Sequence, residues 1–229
     1  MFKIPSFLSV YLLILGLSNA QAAVTTYTSQ TDFLNNLSSS NVTTYNFDNL
    51  PSGSIIPSGT TVDGATFTYD IFPGVSIMVD DWFDTTSPNN YLGTDDGTFA
   101  FLGGDSFTIS FDQSIRAIGM YVISSDLIFD NDFTIATNMG QSVSSLSLVD
   151  VSLADGKAYY LGLIEDDFNH AFTSITLSSF SDYYLFNVDD ITVSAVPEPS
   201  TLLLFSIGLI GVLSLSRRKA QQSLMAQPT

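Results

Sequence analysis

The 229-residue chain contains no cysteine and a single histidine, His170. Without cysteine there is no disulfide framework, no thiol nucleophile and no cysteine-ligated zinc, so the fold rests on core burial, helped at most by a bound ion. With one histidine a histidine-based zinc site is excluded by count, and a Ser-His-Asp triad has one base available and no Gly-x-Ser-x-Gly elbow to support it. His170 sits beside Asn169 and reads as a loop residue. Basic residues are nearly as scarce: Lys3, Arg217, Arg218 and Lys219 lie in the terminal segments, leaving Arg116 and Lys157 for everything between. From Ala23 to Val196 those two face 21 aspartates and one glutamate, a surplus of 20 negative charges. Such a field raises the energy of any approaching polyanion, which argues against nucleic acid as a partner.

The length suits one folded domain flanked by short appended segments. At the N-terminus Lys3 is followed by an apolar run from Phe7 to Leu17 and then by Ser18-Asn19-Ala20-Gln21-Ala22. Small residues at Ala20 and Ala22 fit a signal-peptidase site, so residues 1–22 read as a secretion signal and the mature chain as starting at Ala23. The run is far shorter than the roughly 20 residues needed to span a bilayer. At the other end Val196-Pro197-Glu198-Pro199-Ser200 precedes an apolar stretch from Thr201 to Ser216 and the basic cluster Arg217-Arg218-Lys219. The two prolines make a stiff breaker, the stretch reads as a short transmembrane helix, and the basic cluster favours the cytoplasmic side.

This order of Pro-Glu-Pro motif, short hydrophobic helix and arginine cluster resembles the PEP-CTERM sorting signal. The resemblance implies a Gram-negative source, export across the inner membrane to the cell surface or an exopolysaccharide matrix, transient membrane association, and processing near Pro197, Glu198 and Pro199 by an exosortase-type protease. It covers residues 195–219; the ten residues 220–229 beyond it form a longer tail than the family usually has.

Between the signals, residues 23–194 show short β-branched and aromatic runs broken by Gly, Pro, Asn and Asp, the signature of strands and turns. Strands are expected over 43–47, 65–70, 75–79, 99–102, 106–111, 117–123, 133–137, 147–152, 158–163, 172–177 and 184–193. Phe107, Ile109 and Phe111 alternate with Ser106, Thr108 and Ser110, which implies a sheet with one wet face. Only Gln30 to Leu37 looks helical, with Ser29 or Thr31 as N-cap and Phe33, Leu34 and Leu37 as its apolar stripe. The fold class expected is all-β, an antiparallel two-sheet sandwich or jelly roll, with a barrel as the lesser alternative.

The segments Tyr45 to Gly53, Phe107 to Phe111, Ile115 to Tyr121 and Leu185 to Thr192 look like many PEP-CTERM-borne domains and, more loosely, like carbohydrate-binding-module jelly rolls of the galactose-binding type. In such modules a structural calcium often joins the first strand to the last, and the resemblance puts Asp48, Asp189 and Asp190 at that position. Aspartate, asparagine and carbonyl oxygens suit calcium, although no EF-hand loop is present. The alternative is that Asp48 caps a turn and Asp189-Asp190 end a strand. Trp82, within Asp80-Asp81-Trp82-Phe83-Asp84, and Tyr91 nearby are candidates for stacking on sugar, against the plainer reading of loop aromatics folded over the core. Paired carboxylates for glycoside hydrolysis are too abundant to single out. The expectation is a non-enzymatic surface or matrix protein processed at Ala22-Ala23 by signal peptidase and near Pro197 by exosortase, with Arg217 and Arg218 completing the sorting signal. A carbohydrate-binding module is the second reading, and a polysaccharide hydrolase the third.

Overall fold

The computed structural model describes residues 24–37, 41–180 and 184–196. The expected signal peptide with its Ala22-Ala23 junction, the apolar stretch 201–216 and the residues Pro197, Glu198, Pro199, Arg217 and Arg218 lie outside the described residues. The chain divides into two units after Ala195.

The first unit is built from antiparallel strands with one short helix. In chain order they are β1 (Thr25–Tyr27), α1 (Gln30–Asn36), β2 (Val42–Tyr45), β3 (Ile55–Ile56), β4 (Thr60–Val62), β5 (Ala65–Tyr69), β6 (Ile77–Asp80), β7 (Tyr91–Thr94), β8 (Phe101–Leu102), β9 (Ser106–Ser124), β10 (Phe133–Thr137), β11 (Ser142–Ser144), β12 (Val151–Ser152), β13 (Lys157–Ile164), β14 (Phe172–Ser179) and β15 (Leu185–Ala195).

The 19-residue β9 organises the domain. Its first half, Ser106 to Phe111, runs between β5 and β14, with Ile109 opposite Phe67 on one side and Ile175 on the other. β4 extends that layer beyond β5, and β10 and β11 extend it beyond β14. Its second half, Ala117 to Ser124, runs between β13 and β15. β1 and β12 lie beyond β13, while β2, β7 and β8 pair with β15, and β6 and β3 come after β7. One strand therefore serves two layers.

Side-chain phase changes as β9 passes from one layer to the other. Phe107, Ile109 and Phe111 enter the main core at odd positions, whereas Ile118, Met120 and Val122 enter it at even ones. Strict alternation cannot do this, so an irregularity is required, and the pairing shifts register near Ile115 against both neighbours. Both halves then point into one cluster between facing layers, the arrangement of a two-sheet sandwich. The odd residues of the second half, Ala117, Tyr121 and Ile123, face a second cluster with Phe33, Ala158, Tyr160 and Ile164. Helix α1 covers that face by inserting Phe33, whose burial contributes about 1.5–3 kcal/mol. Hence the second half of β9 is buried on both sides.

The all-β expectation holds, and so does the helix, which ends at Asn36 with Ser29 at the N-cap position but no side-chain capping bond. Four differences are informative. The two strands expected at 106–111 and 117–123 are one. The strand expected over 147–152 shrinks to Val151–Ser152, with β11 formed earlier at Ser142–Ser144. β3 and β4 are too short to show alternation, and Tyr91 to Thr94, with a glycine in its middle, gives a weak strand signal although β7 is wholly buried.

Candidate functional site

The segment from Asp81 to Asn90 joins β6 to β7 and is tied down along its whole length. At its start Asp80 Oδ1 accepts the N–H groups of Asp81 and Trp82 at 2.8 and 2.7 Å, an aspartate turn that fixes the direction in which the chain leaves β6. Asp84 N–H donates to both oxygens of Asp155 (3.2 and 3.1 Å), and Ala154 N–H donates back to Asp84 Oδ2 (3.0 Å). The middle of the segment is gathered by Asp189 of β15. Its Oδ2 accepts the hydroxyls of Thr85, Thr86 (3.2 Å) and Ser87 (2.8 Å) and the N–H of Ser87 (3.0 Å). At the far end Asp48 Oδ1 accepts the N–H groups of Asn89 (3.2 Å) and Asn90 (3.1 Å), and the Asn90 amide donates to the carbonyls of Phe47 and Leu50.

Asp48, Asp189 and the Trp82 segment, separate in sequence, thus belong to one structure. Asp189 is fully buried, and its carboxyl is pushed up to about 6, first by burial and then by the charge of Asp190, against the pull of its hydroxyl and N–H donors. Asp190 adopts a positive φ of 50° and donates its N–H to Asp189 Oδ1 at 2.7 Å, where β15 slips register against β9. Its own carboxyl is also raised, mainly by burial and further by Asp48, while a bond from Thr86 lowers it.

These contacts bear on calcium. A cation needs carboxylate oxygens with free lone pairs, but Asp189 Oδ2 already faces hydroxyl and N–H protons and its Oδ1 faces the N–H of Asp190. Among the described residues no three acidic or histidine side chains converge closely enough to hold a metal. Asp48 and Asp189 thus clamp the segment through protein hydrogen bonds.

The two aromatic candidates part company. Tyr91 is 0% exposed, its hydroxyl lies 3.4 Å from Asp80 Oδ1, and it accepts the N–H of Phe83, so it has no face to offer a ligand. Trp82 is 70% exposed and stacks on Phe99, with ring centroids 5.3 Å apart and planes inclined by 23°. Phe99 is the partner that sequence reasoning missed. It holds a positive φ of 60°, unusual for a bulky residue, and its carbonyl lies where a β-carbon on Gly93 would sit, 2.2 Å away. Turned toward them, the Asn187 amide nitrogen donates to the carbonyls of Phe99 and Phe186 at 3.2 and 3.1 Å. Gly93 in β7 and Asn187 in β15 therefore set the platform beneath Trp82.

Immediately beyond the stacked pair, Phe83 and Ala100 enter the wall of a cleft of about 130 Å³. Asp84 and Asp155 also line it, as do Ser124, Ser125 and Asn187. A second cleft, about 210 Å³, runs along β2 and is lined by Thr44, Tyr45, Asn46 and Asp63 among others. Ser87 Oγ lies 3.4 Å from the carbonyl oxygen of Asn46 in its wall, while the hydroxyl proton goes to Asp189. The Trp82 segment thus borders both clefts, and its chemistry is that of an aromatic face beside hydroxyl, amide and carboxylate groups. His170, by contrast, lies in a 3-10 turn with its ring 3.8 Å from Asp167 and lines neither cleft.

An all-β sandwich bearing a loop-borne aromatic cleft is the class of domain this geometry defines. At residues 195–219 the chain matches the family described as PEP-CTERM protein-sorting motif. The protein carries that sorting signal, which implies export to the cell surface with membrane association and exosortase processing. Among solved structures, the K2 cleaved adhesin domain of Lys-gingipain is 9% identical, with 68% of this chain and 98% of that one covered and a TM-score of 0.44. The CBM22-1 xylan-binding domain of Paenibacillus barcinonensis Xyn10C is 15% identical, with 65% and 98% covered and a TM-score of 0.32. A search of curated proteins finds no match to the chain.

Proposed function

We propose that this is a non-enzymatic protein of the cell surface or exopolysaccharide matrix of a Gram-negative bacterium, exported through its PEP-CTERM signal, whose β domain holds polysaccharide at the Trp82 cleft. One observation carries the reading: Trp82 is the only tryptophan, and it stands 70% exposed on a Phe99 base beside a mainly apolar cleft whose lining includes Asp84, Asp155, Ser124 and Asn187. Exposing an indole costs hydrophobic free energy, while the clamp on its segment fixes where the ring stands. A rigid exposed aromatic beside hydrogen-bonding groups suits a sugar ring, which presents C–H faces for stacking and hydroxyls around its edge.

The absence of catalysis is part of the proposal. Glycoside hydrolysis needs one carboxyl kept protonated within reach of the bond to be cleaved. The carboxyls that burial raises among the described residues, Asp105, Asp189 and Asp190, line neither cleft. The test is a glycan array with the mature protein and with Trp82→Ala. Binding by the parent and its loss in the variant, with an unchanged melting temperature, is expected; equal binding by both would sink the assignment.

A further inference from the structure

We infer that the polysaccharide held at the Trp82 cleft is free of acidic groups, an inference that rests on reading that cleft as a glycan site. Around the stacked pair the ionised groups are carboxylates: Asp80 and Asp81 at the head of the segment, Asp84 and Asp155 in the cleft wall, and Asp126, whose N–H is held by Ser124 of the same wall. Asp84 and Asp155 cannot swing away. Each is fixed by an N–H from the other's loop, so both charges stay at the rim.

Little opposes them. Among the described residues Lys157, next to Gly156 of the wall, is the one cation near this end, while Arg116 is buried at the opposite end of the β9 segment that closes at Ser124, with its guanidinium 5.6 Å from the Phe168 ring. A uronate or sulfate entering the cleft would meet like charge at close range in a partly desolvated setting, with no arginine among the described lining residues to receive it. Beyond the cleft, the 20 surplus negatives of the domain repel an acidic chain before contact.

The same carboxylates are good partners for a neutral glycan. The bonds they receive leave lone pairs, and sugar hydroxyls are donors that a carboxylate accepts strongly. The site therefore combines an aromatic face for C–H groups, acceptors for hydroxyls and a barrier to anions. It sorts glycans by charge.

The experiment uses the full secreted chain and backbone-matched glycan pairs: hydroxyethyl-cellulose with carboxymethyl-cellulose, fully methyl-esterified with de-esterified polygalacturonan, and neutral with sulfated galactan. Affinity electrophoresis and fluorescence of the single Trp82 read binding at about 20 and about 200 mM NaCl. A neutral member should bind, and its acidic partner should bind about tenfold more weakly at low salt, with the gap narrowing at high salt. Asp84→Asn combined with Asp155→Asn keeps an acceptor oxygen at each position and should shrink the gap several-fold. An acidic member binding as tightly as its neutral partner, or a gap unmoved by that double substitution, would overturn the inference while leaving glycan binding intact. No binding to any member of any pair would overturn the glycan site itself, and the charge preference with it.

Discussion

Ser87 gives both of its hydrogen-bond donors to a single oxygen of Asp189, the backbone N–H at 3.0 Å and the hydroxyl at 2.8 Å. The two residues are 102 positions apart, and the contact fastens the middle of the Trp82 segment to the last strand of the domain. Everything proposed for Trp82 depends on that segment keeping one shape.

Removing the clamp should cost stability in a graded way. Ser87→Ala deletes one of several donors and should lower unfolding free energy by about 1 kcal/mol, whereas Asp189→Ala strands buried donors and should cost about 3 kcal/mol. Urea denaturation measures both. Equal, negligible losses would show that water replaces Asp189 without penalty.

The pH dependence comes from the same carboxyl. Asp189 has its folded value raised to about 6 from 3.8, so the folded chain binds this proton more tightly than the unfolded chain does. Its contribution to stability is fully present below about 3.8 and is lost as pH rises through about 6. Asp190 is shifted in the same direction, mainly by burial. The melting temperature should be higher at about pH 5 than at about pH 7.5. General charge repulsion acts with the same sign, so the decisive measurement is Asp189→Asn, in which the difference should shrink.

Protein donors already occupy the Asp189 oxygens. Chelation should leave the melting temperature unchanged, and calcium and magnesium at equal ionic strength should act alike, through screening alone. A gain specific to calcium that vanishes in Asp48→Asn would restore the metal site that the sequence suggested.

Gly93→Ala tests the platform. The new methyl would lie 2.2 Å from the Phe99 carbonyl, a backbone atom that cannot move aside as a side chain does. A loss of about 2 kcal/mol or more is expected, together with a change in Trp82 fluorescence as Phe99 shifts. Full stability with unchanged emission would mean that β7 and the Phe99 turn accommodate a β-carbon.

At the ends of the chain, mass spectrometry of extracellular material should find a mature N-terminus at Ala23 and no peptides from residues 220–229. Recovery of those C-terminal peptides outside the cell would rule out processing near Pro197.

The sequence by itself determined the parts of this protein that rest on local order. The sorting signal is read from the succession of Pro197-Glu198-Pro199, an apolar stretch and Arg217-Arg218, and the match at residues 195–219 agrees. Strands such as Phe133–Thr137 and the helix at Gln30 were legible because side-chain periodicity is written along the chain. Asp48, Asp189 and Trp82 could each be singled out, but not their convergence on one segment, since hydrogen bonds spanning 41 and 102 positions leave no mark in local pattern. The same limit hid Phe99 beneath Trp82 and the burial of Tyr91, which the neighbours packed around each ring decide. It also hid the single strand from Ser106 to Ser124, because a change of phase at a bulge looks like two strands until both layers are seen around it. The donors that gather on Asp189 were likewise visible only in the tertiary structure: its charge is a property of the residue, but its partners are a property of the fold.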